Sequence, residues 1–399
     1  MHIAIISQHH HNPDCPAWCR HYSFMNELVK RHQITLITGK GWRRFRITNK
    51  YSWVPKGVKL DECNVPYANE MGVLQRLLSF SGYTICSLWK GITMPKPDVI
   101  WAVSTPLTTP WVAAQVARMR NVPWVFEMQD LWPSFPIEMG AIKYKWMQQL
   151  LFRIEESLYH SASQIVTVSP DMTAYVASLG IPAEKITTNY NGTDIEQADA
   201  ATEQDVEELR VNYNLQGKKV ALYAGTYGRA NGIPTLMQTI RSMSTDTSIK
   251  FILIGNGYYE PKLRKLAEQV PNLLLLEPQP RHGVFKFFKL ADIALVTFNN
   301  LPVLATNSPS KFFDSLASGT PVIVTNPGWT KRFVEEHKVG WYTPAEDAAA
   351  LAETIKLTLS KPEELSAAGA RGKTIARQMF NRQDLVKEME KVLVKAAKI

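Results

Sequence analysis

Two tandem doubly wound α/β domains are predicted by three observations. At 399 residues the chain is longer than one hydrophobic core usually holds. Apolar, β-branched runs alternate with helical periodicity from end to end, the pattern of parallel sheets covered on both faces by helices. The alternation breaks once, at the acidic, polar "IEQADAATEQDVEELRVNYNLQG" (195–217), and then starts afresh. The expected architecture is therefore two Rossmann-like units facing across a cleft, with ligands at the carboxyl edges of the sheets.

In chain order, strands are expected at 2–7, 33–38, 98–104, 123–130, 164–169 and 185–191, each a short apolar run rich in Val, Ile and Thr. Helices are expected at 17–32, 71–90, 109–120 and 170–180; the last two follow Ser or Thr and carry Pro in the first turn. The second series places strands at 219–225, 249–255, 272–278, 292–298 and 321–326, followed by a mostly helical tail from Asp347. The domains are set at 1–195, 196–380 and a final helix, 381–399, packing back on the first domain.

Composition narrows the function. Apolar residues make up 45% and charged residues 20%, the balance of a folded globular protein. No run reaches the roughly 18 apolar residues of a spanning helix, and "MHIAIISQHH" lacks the features of a secretory signal, so a cytoplasmic location is expected. Four cysteines are too few for a disulfide framework, and reduced thiols are expected. His9, His10, His11, Cys15, Cys19 and His21 crowd together and leave a zinc site as an alternative, but Cys-x3-Cys beside irregularly spaced histidines is a weak pattern; a polar loop entering a helix, with no metal, is expected. Asp61 and Glu62 read as a solvated loop.

The net charge of +9 suits nucleic acid, anionic membrane or phosphate-bearing ligands. No nucleic-acid-binding motif accompanies it, so no nucleic-acid partner is expected. Between Lys40 and Lys59 seven basic residues and no acid are interleaved with Trp42, Phe45, Tyr51 and Trp53, which fits a headgroup interface. Met71, Leu74, Leu77, Leu78 and Trp89 form an apolar stripe on the helix that follows. A peripheral position on the inner face of the cytoplasmic membrane is the matching expectation.

Three strand exits of the second half carry the chemistry. "YAGTYGRANG" (223–232) sets Gly225, Gly228 and Gly232 between strand and helix, where backbone can close on a phosphate. "IGNGYYEP" (254–261) repeats the arrangement with Gly255, Asn256 and Gly257. Neither is G-x-G-x-x-G, and the first strand exit, "SQHHHNPDCP", has no glycine, so a dinucleotide fingerprint is absent. In "SPSKFFDSLASGTPVIV" (308–324) Ser308 reads as an N-cap and Pro309 as a first-turn residue. Lys311 there adds charge to a helix terminus that already favours phosphate, and Asp314 is suited to ribose hydroxyls.

With "NYNGTD" (189–194), these motifs resemble the retaining glycosyltransferases of family 4, which have the two-domain GT-B fold. "CPAWCRHYSFMNELVKRH" (15–32) and "FEMQDLWP" (126–133) resemble the subset that builds bacterial surface polysaccharides, including amino-sugar transferases of lipopolysaccharide O-antigen and capsule assembly. The family's Glu-x7-Glu motif places its ribose-binding acid on Asp314. Its first acid falls on Thr306, a departure that bears on the donor sugar. Many relatives carry His where Gln129 stands.

The resemblance implies transfer from a nucleoside diphosphate donor, UDP preferred, of an N-acetylated hexose or 6-deoxyhexose. The acceptor is polyprenyl-diphosphate-linked or an oligosaccharide. Lys311 and Arg229 are the expected stabilisers of the departing diphosphate, and Asp130 orients the acceptor hydroxyl. Gly225, Thr226, Gly228, Gly255, Asn256, Thr306, Asn307, Ser308, Ser310 and Asp314 are expected on the donor, and Arg20, His21, Gln129 and Trp132 on the acceptor. No cofactor or metal is implied. A GT-B sugar-nucleotide epimerase and, more distantly, a non-catalytic anionic-sugar binding module are the alternatives.

Overall fold

The computed structural model describes residues 1–11, 19–40, 54–67 and 71–398. Cys15 and most of the basic segment, 41–53, lie outside them. The chain divides into two compact units, Met1–Tyr190 with Gln383–Ile399, and Asn191–Arg382. The first boundary falls ahead of residue 195 because Asn191, Thr193 and Asp194 bond to Ser308, Asp314 and Arg281 of the second unit.

The first unit holds a seven-stranded sheet in which every neighbouring pair is parallel. Its strands are β1 (His2–Ile6), β2 (Gln33–Gly39), β3 (Lys59–Cys63), β4 (Val99–Val103), β5 (Trp124–Met128), β6 (Gln164–Thr167) and β7 (Ile186–Thr188), in the order β3-β2-β1-β4-β5-β6-β7. All residues of β4 and β5 are buried, which is why they read as unbroken apolar runs. Helix Arg382–Ala397 contributes Leu385, Val386, Met389 and Leu393 to the same core as Ile3, Phe24 and Trp101.

Three expectations are corrected here. Asp61 and Glu62 belong to an edge strand, β3, paired with β2, and Asp61 is ion-paired with Lys90. An edge strand buries only part of itself, so its apolar signal is weak. Cys63 and Cys86 are joined as a disulfide with Cα atoms 5.9 Å apart, because β3 and helix Val73–Thr93 lie side by side; sequence spacing carries no trace of that proximity. The first helix spans Arg20–Leu28, not 17–32, with residues 12–18 outside the description. Helix Val73–Thr93 turns Tyr83 and Ser87 inward and leaves Leu74, Leu77, Leu78, Ile85 and Trp89 exposed.

The second unit holds β8 (Lys219–Ala224), β9 (Ile249–Ile254), β10 (Leu273–Leu276), β11 (Ile293–Val296), β12 (Val322–Val324) and β13 (Gly340–Tyr342), all parallel, ordered β10-β9-β8-β11-β12-β13. The chain runs outward from β8 to β10 and then restarts at β11 on the other side. The switch point, where ligands of such sheets bind, lies between β8 and β11. In the first sheet the corresponding point lies between β1 and β4.

Candidate functional site

At the exit of β8 the backbone turns at Gly225, with φ of 148°, a conformation that strongly favours glycine. Lys311, one residue into helix Ser310–Ala317, brings its Nζ to 3.0 Å from where a Gly225 side chain would begin. The next strand exit is equally tight: a Cβ on Gly255 would sit 2.0 Å from the Gly225 carbonyl oxygen. Tyr227 N donates to Asn256 O at 2.7 Å. The exits of β8 and β9 and the start of one helix are thus brought to a single place at the switch point.

No carboxylate among the described residues pairs with Lys311. Its Nζ lies 3.7 Å from the centre of the Tyr223 ring, an arrangement in which the ring face attracts the cation. The Tyr223 hydroxyl donates to Thr226 O at 2.8 Å, and Asn231 Nδ2 donates to the same oxygen at 2.6 Å, which fixes both ring and loop. Lys311 is half-buried, and burial lowers its pKa from 10.5 to about 7. Arg229 is exposed, with its guanidinium over the exposed Tyr258 ring at 4.1 Å.

Asp314 is nearly buried and accepts from Thr193 Oγ1 at 2.7 Å and Arg281 Nη2 at 2.6 Å, both on Oδ1. Asp194 accepts on Oδ2 from Arg281 Nε at 3.0 Å and from Arg382 Nη1. Two acids and two guanidiniums therefore form one neutral network. Burial pushes the Asp314 carboxyl up, against the pull of Arg281. Burial also acts on Asp194, but Arg382 and Arg281 together hold it below the ordinary range. Sequence reasoning missed Arg281 and Arg382. Each begins a helix, a basic residue where a helix dipole favours acids, and that misfit was the available signal.

Ser308 does not cap the helix. The cap position falls to Pro309 and no side chain fills it, because Asn191 Nδ2 holds the Ser308 carbonyl at 2.5 Å and the helix starts after it. The Ser308 hydroxyl is buried without a hydrogen-bond partner among the described residues. Ser310 opens the helix. Thr306 Oγ1 bonds back to Val303 O at 2.8 Å, and the Asn307 carbonyl accepts from Trp329 Nε1 at 2.7 Å. Gly228 O accepts from Asn231 N at 3.2 Å, closing the β8 loop.

In the first unit Arg20 and His21, expected on the acceptor side, are both buried. Arg20 is 3% exposed and donates to Asn189 O at 2.6 Å and Tyr190 O at 2.9 Å, with Glu127 Oε1 at 3.2 Å from its Nε. Glu127, on fully buried β5, needs a cation; it also accepts from Trp101 Nε1 at 2.6 Å and Gln129 Nε2 at 3.1 Å. Gln129 is therefore tied to the same group. His21 is 1% exposed, 3.0 Å from His10 Nδ1, and held far below its usual pKa by burial first and then by neighbouring His10, His11 and Arg20. Asp130 accepts from Thr105 Oγ1 at 3.4 Å, and burial raises its pKa. Trp132 is half-buried.

Residues 20–192 match the family described as Glycosyl transferase 4-like domain, and residues 205–375 match Glycosyl transferases group 1. The chain is similar to "Probable glycosyltransferase WbjE" of Pseudomonas aeruginosa, 26% identical over 58% of both chains. It is similar also to WcaL of Salmonella typhimurium, named for colanic acid biosynthesis, 23% identical over 60% of this chain and 58% of that one. The matched stretch thus spans less than two thirds of these relatives. Anabaena Alr3699/HepE, solved in complex with UDP, has a like fold, with a TM-score of 0.73 and 16% identity over 99% of this chain and 100% of that one. With one family match on each unit and two parallel doubly wound sheets between them, the chain belongs to the GT4-type glycosyltransferases of GT-B fold.

Proposed function

We propose that the chain transfers a sugar from UDP to a lipid-linked or saccharide acceptor in bacterial surface polysaccharide synthesis, with retention at the anomeric carbon and no metal at the donor site. The observation that carries this reading is Lys311: an ammonium with no carboxylate among the described residues, set on Tyr223 against the glycine turn of β8. A diphosphate is the partner such a site lacks. As the bond to the sugar breaks, negative charge grows on the phosphate oxygen, and Lys311, the helix N–H groups at Ser310 and Lys311 and the Ser308 hydroxyl stabilise it in place. Asp314 Oδ2 takes the ribose hydroxyls, with Oδ1 fixed by Thr193 and Arg281. The leaving phosphate oxygen helps remove the acceptor proton, so no protein nucleophile is required, and Asp130 orients the acceptor hydroxyl. The sugar is an N-acetylated hexose or 6-deoxyhexose.

A thermal-shift screen of nucleotides and nucleotide sugars tests the donor. UDP and one UDP-sugar are expected to raise Tm, since a ligand of the native state alone stabilises by mass action, and Asp314→Ala is expected to abolish the shift. A Tm unmoved by every uridine nucleotide sinks the donor assignment. Incubating donor without acceptor separates transfer from epimerisation: an isomerised sugar nucleotide favours the epimerase.

The lipid-linked acceptor rests on helix Val73–Thr93, whose Leu74, Leu77, Leu78, Ile85 and Trp89 face outward, and on the basic segment that precedes it in the sequence. No helix among the described residues is long and apolar enough to cross a membrane, so contact would be peripheral. The protein is expected to co-sediment with vesicles containing anionic lipid and to lose most binding when Leu77 and Trp89 are both changed to Ser. Absence of sedimentation at low and high salt removes the membrane from the proposal.

A further inference from the structure

At the switch point of the first sheet, the exit of β1 meets the start of helix Arg20–Leu28, and three potential ligands converge. His10 Nδ1 and His21 Nε2 are 3.0 Å apart. Cys19 Sγ is 3.3 Å from His21 Nε2 and 3.6 Å from His10 Nδ1. Among the described residues this is the one group of three such atoms close enough to hold a metal ion. Both histidines are at least 98% buried, with exposures of 2% and 1%, so water does not compete freely for their nitrogens.

The separations are those of one face of a coordination tetrahedron. Bonds of roughly 2.0–2.1 Å to nitrogen and about 2.3 Å to sulfur place the ligand atoms of a tetrahedral zinc site ~3.3 Å apart for N···N and ~3.6 Å for N···S. The observed edges of 3.0, 3.3 and 3.6 Å lie within a few tenths of an ångström of these. A hydrogen shared between the two rings accounts for the first edge, and the His11 backbone holds Cys19 Sγ, which donates to the His11 carbonyl at 2.9 Å and accepts from its N–H at 3.3 Å. A cation at the centre accounts for all three edges at once.

We propose that His10 Nδ1, Cys19 Sγ and His21 Nε2 bind one zinc ion, which pins the β1 exit to the amino end of the first helix. The borderline-soft set of two imidazoles and a thiolate suits zinc rather than magnesium or calcium, which favour oxygen. On binding, the Cys19 S–H bond breaks, its proton leaves to solvent, and sulfur bonds the metal. The hydrogen shared between the rings moves to the other nitrogen of the ring that bears it, so both ligand nitrogens present lone pairs. One proton is released per ion. Zinc and one thiolate leave a single positive charge. Arg20, between two ligands in sequence, is neutralised by Glu127 and does not oppose it. The ion belongs to the first unit and has no part in donor binding; the described residues supply three of its ligands.

Cobalt(II) is the probe. Titrated into reduced, metal-free protein, it is expected to saturate at one equivalent per chain and to give a thiolate-to-cobalt charge-transfer band with tetrahedral d–d bands, both displaced by zinc. Zinc in excess is expected to raise Tm by about 5 °C and to protect Cys19 from iodoacetamide in peptide mapping. Cys19→Ser should abolish the charge-transfer band and His10→Gln should weaken binding at least tenfold. The proposal is overturned by folded wild-type protein that binds no stoichiometric metal, by a band that survives Cys19→Ser, or by Cys19 alkylation unaffected by zinc. The mapping and the wild-type titration decide the matter even where a variant does not fold.

Discussion

Replacing Lys311 with Ala lowers turnover by about 100- to 1,000-fold, the usual cost of removing one preorganised group that stabilises transition-state charge. The check is steady-state kinetics with the sugar nucleotide found by screening; kcat within tenfold of wild type shows that another group carries the charge. Lys311 also gives the site a pH signature. Without ligand its pKa is about 7, and a bound diphosphate draws the proton back on. UDP binding therefore takes up a proton above pH 7, and affinity falls as pH rises, by up to tenfold per unit. Calorimetry in buffers of different ionisation enthalpy reads that uptake directly, and Lys311→Arg, charged throughout, should abolish it. The sign for stability is opposite. A pKa below the unfolded 10.5 means the free enzyme binds fewer protons than the unfolded chain between about 7 and 10.5, so this group's contribution to stability rises with pH over that window.

Arg20→Ala is expected to destabilise the first unit by about 3–5 kcal/mol, because it leaves the Glu127 carboxylate buried without its cation. The guanidinium also holds the Asn189 and Tyr190 carbonyls and stacks at 4.5 Å on Phe24, so β7 loses its tie to the first helix. Urea unfolding followed by tryptophan fluorescence measures the loss, since Trp101 and Trp124 report on this sheet. Adding Glu127→Gln should recover part of it. A single variant within 1 kcal/mol of wild type contradicts the assignment of Arg20 to the scaffold.

Most strands were legible because each buries both faces and so leaves an unbroken apolar run. β3 and β13 were not: "KLDEC" and "GWY" are short edge strands of mostly half-buried residues, with neither the length nor the alternation that identifies a strand. Lys311 could be found from its place at a helix start. That an aromatic ring rather than a carboxylate lies beneath it could not, since Tyr223 is distant in sequence and no periodicity links the two. The same holds for Arg281 and Arg382, whose partner Asp194 lies 87 and 188 residues away. Arg20 and His21 were placed correctly at the start of the first helix, but their burial was not foreseen. Their burial depends on Glu127 and His10, and pairing of that kind is invisible in one sequence.

The last helix has a consequence for how the protein is made. The second unit is continuous from Asn191 to Arg382, whereas the first is missing Leu385, Val386, Met389 and Leu393 from its core until the final residues are present. Domains generally fold as units, amino-terminal first, as the chain leaves the ribosome. Here the first unit's core cannot be completed until the second unit has been made, and a chain truncated after Arg382 would lack those four side chains.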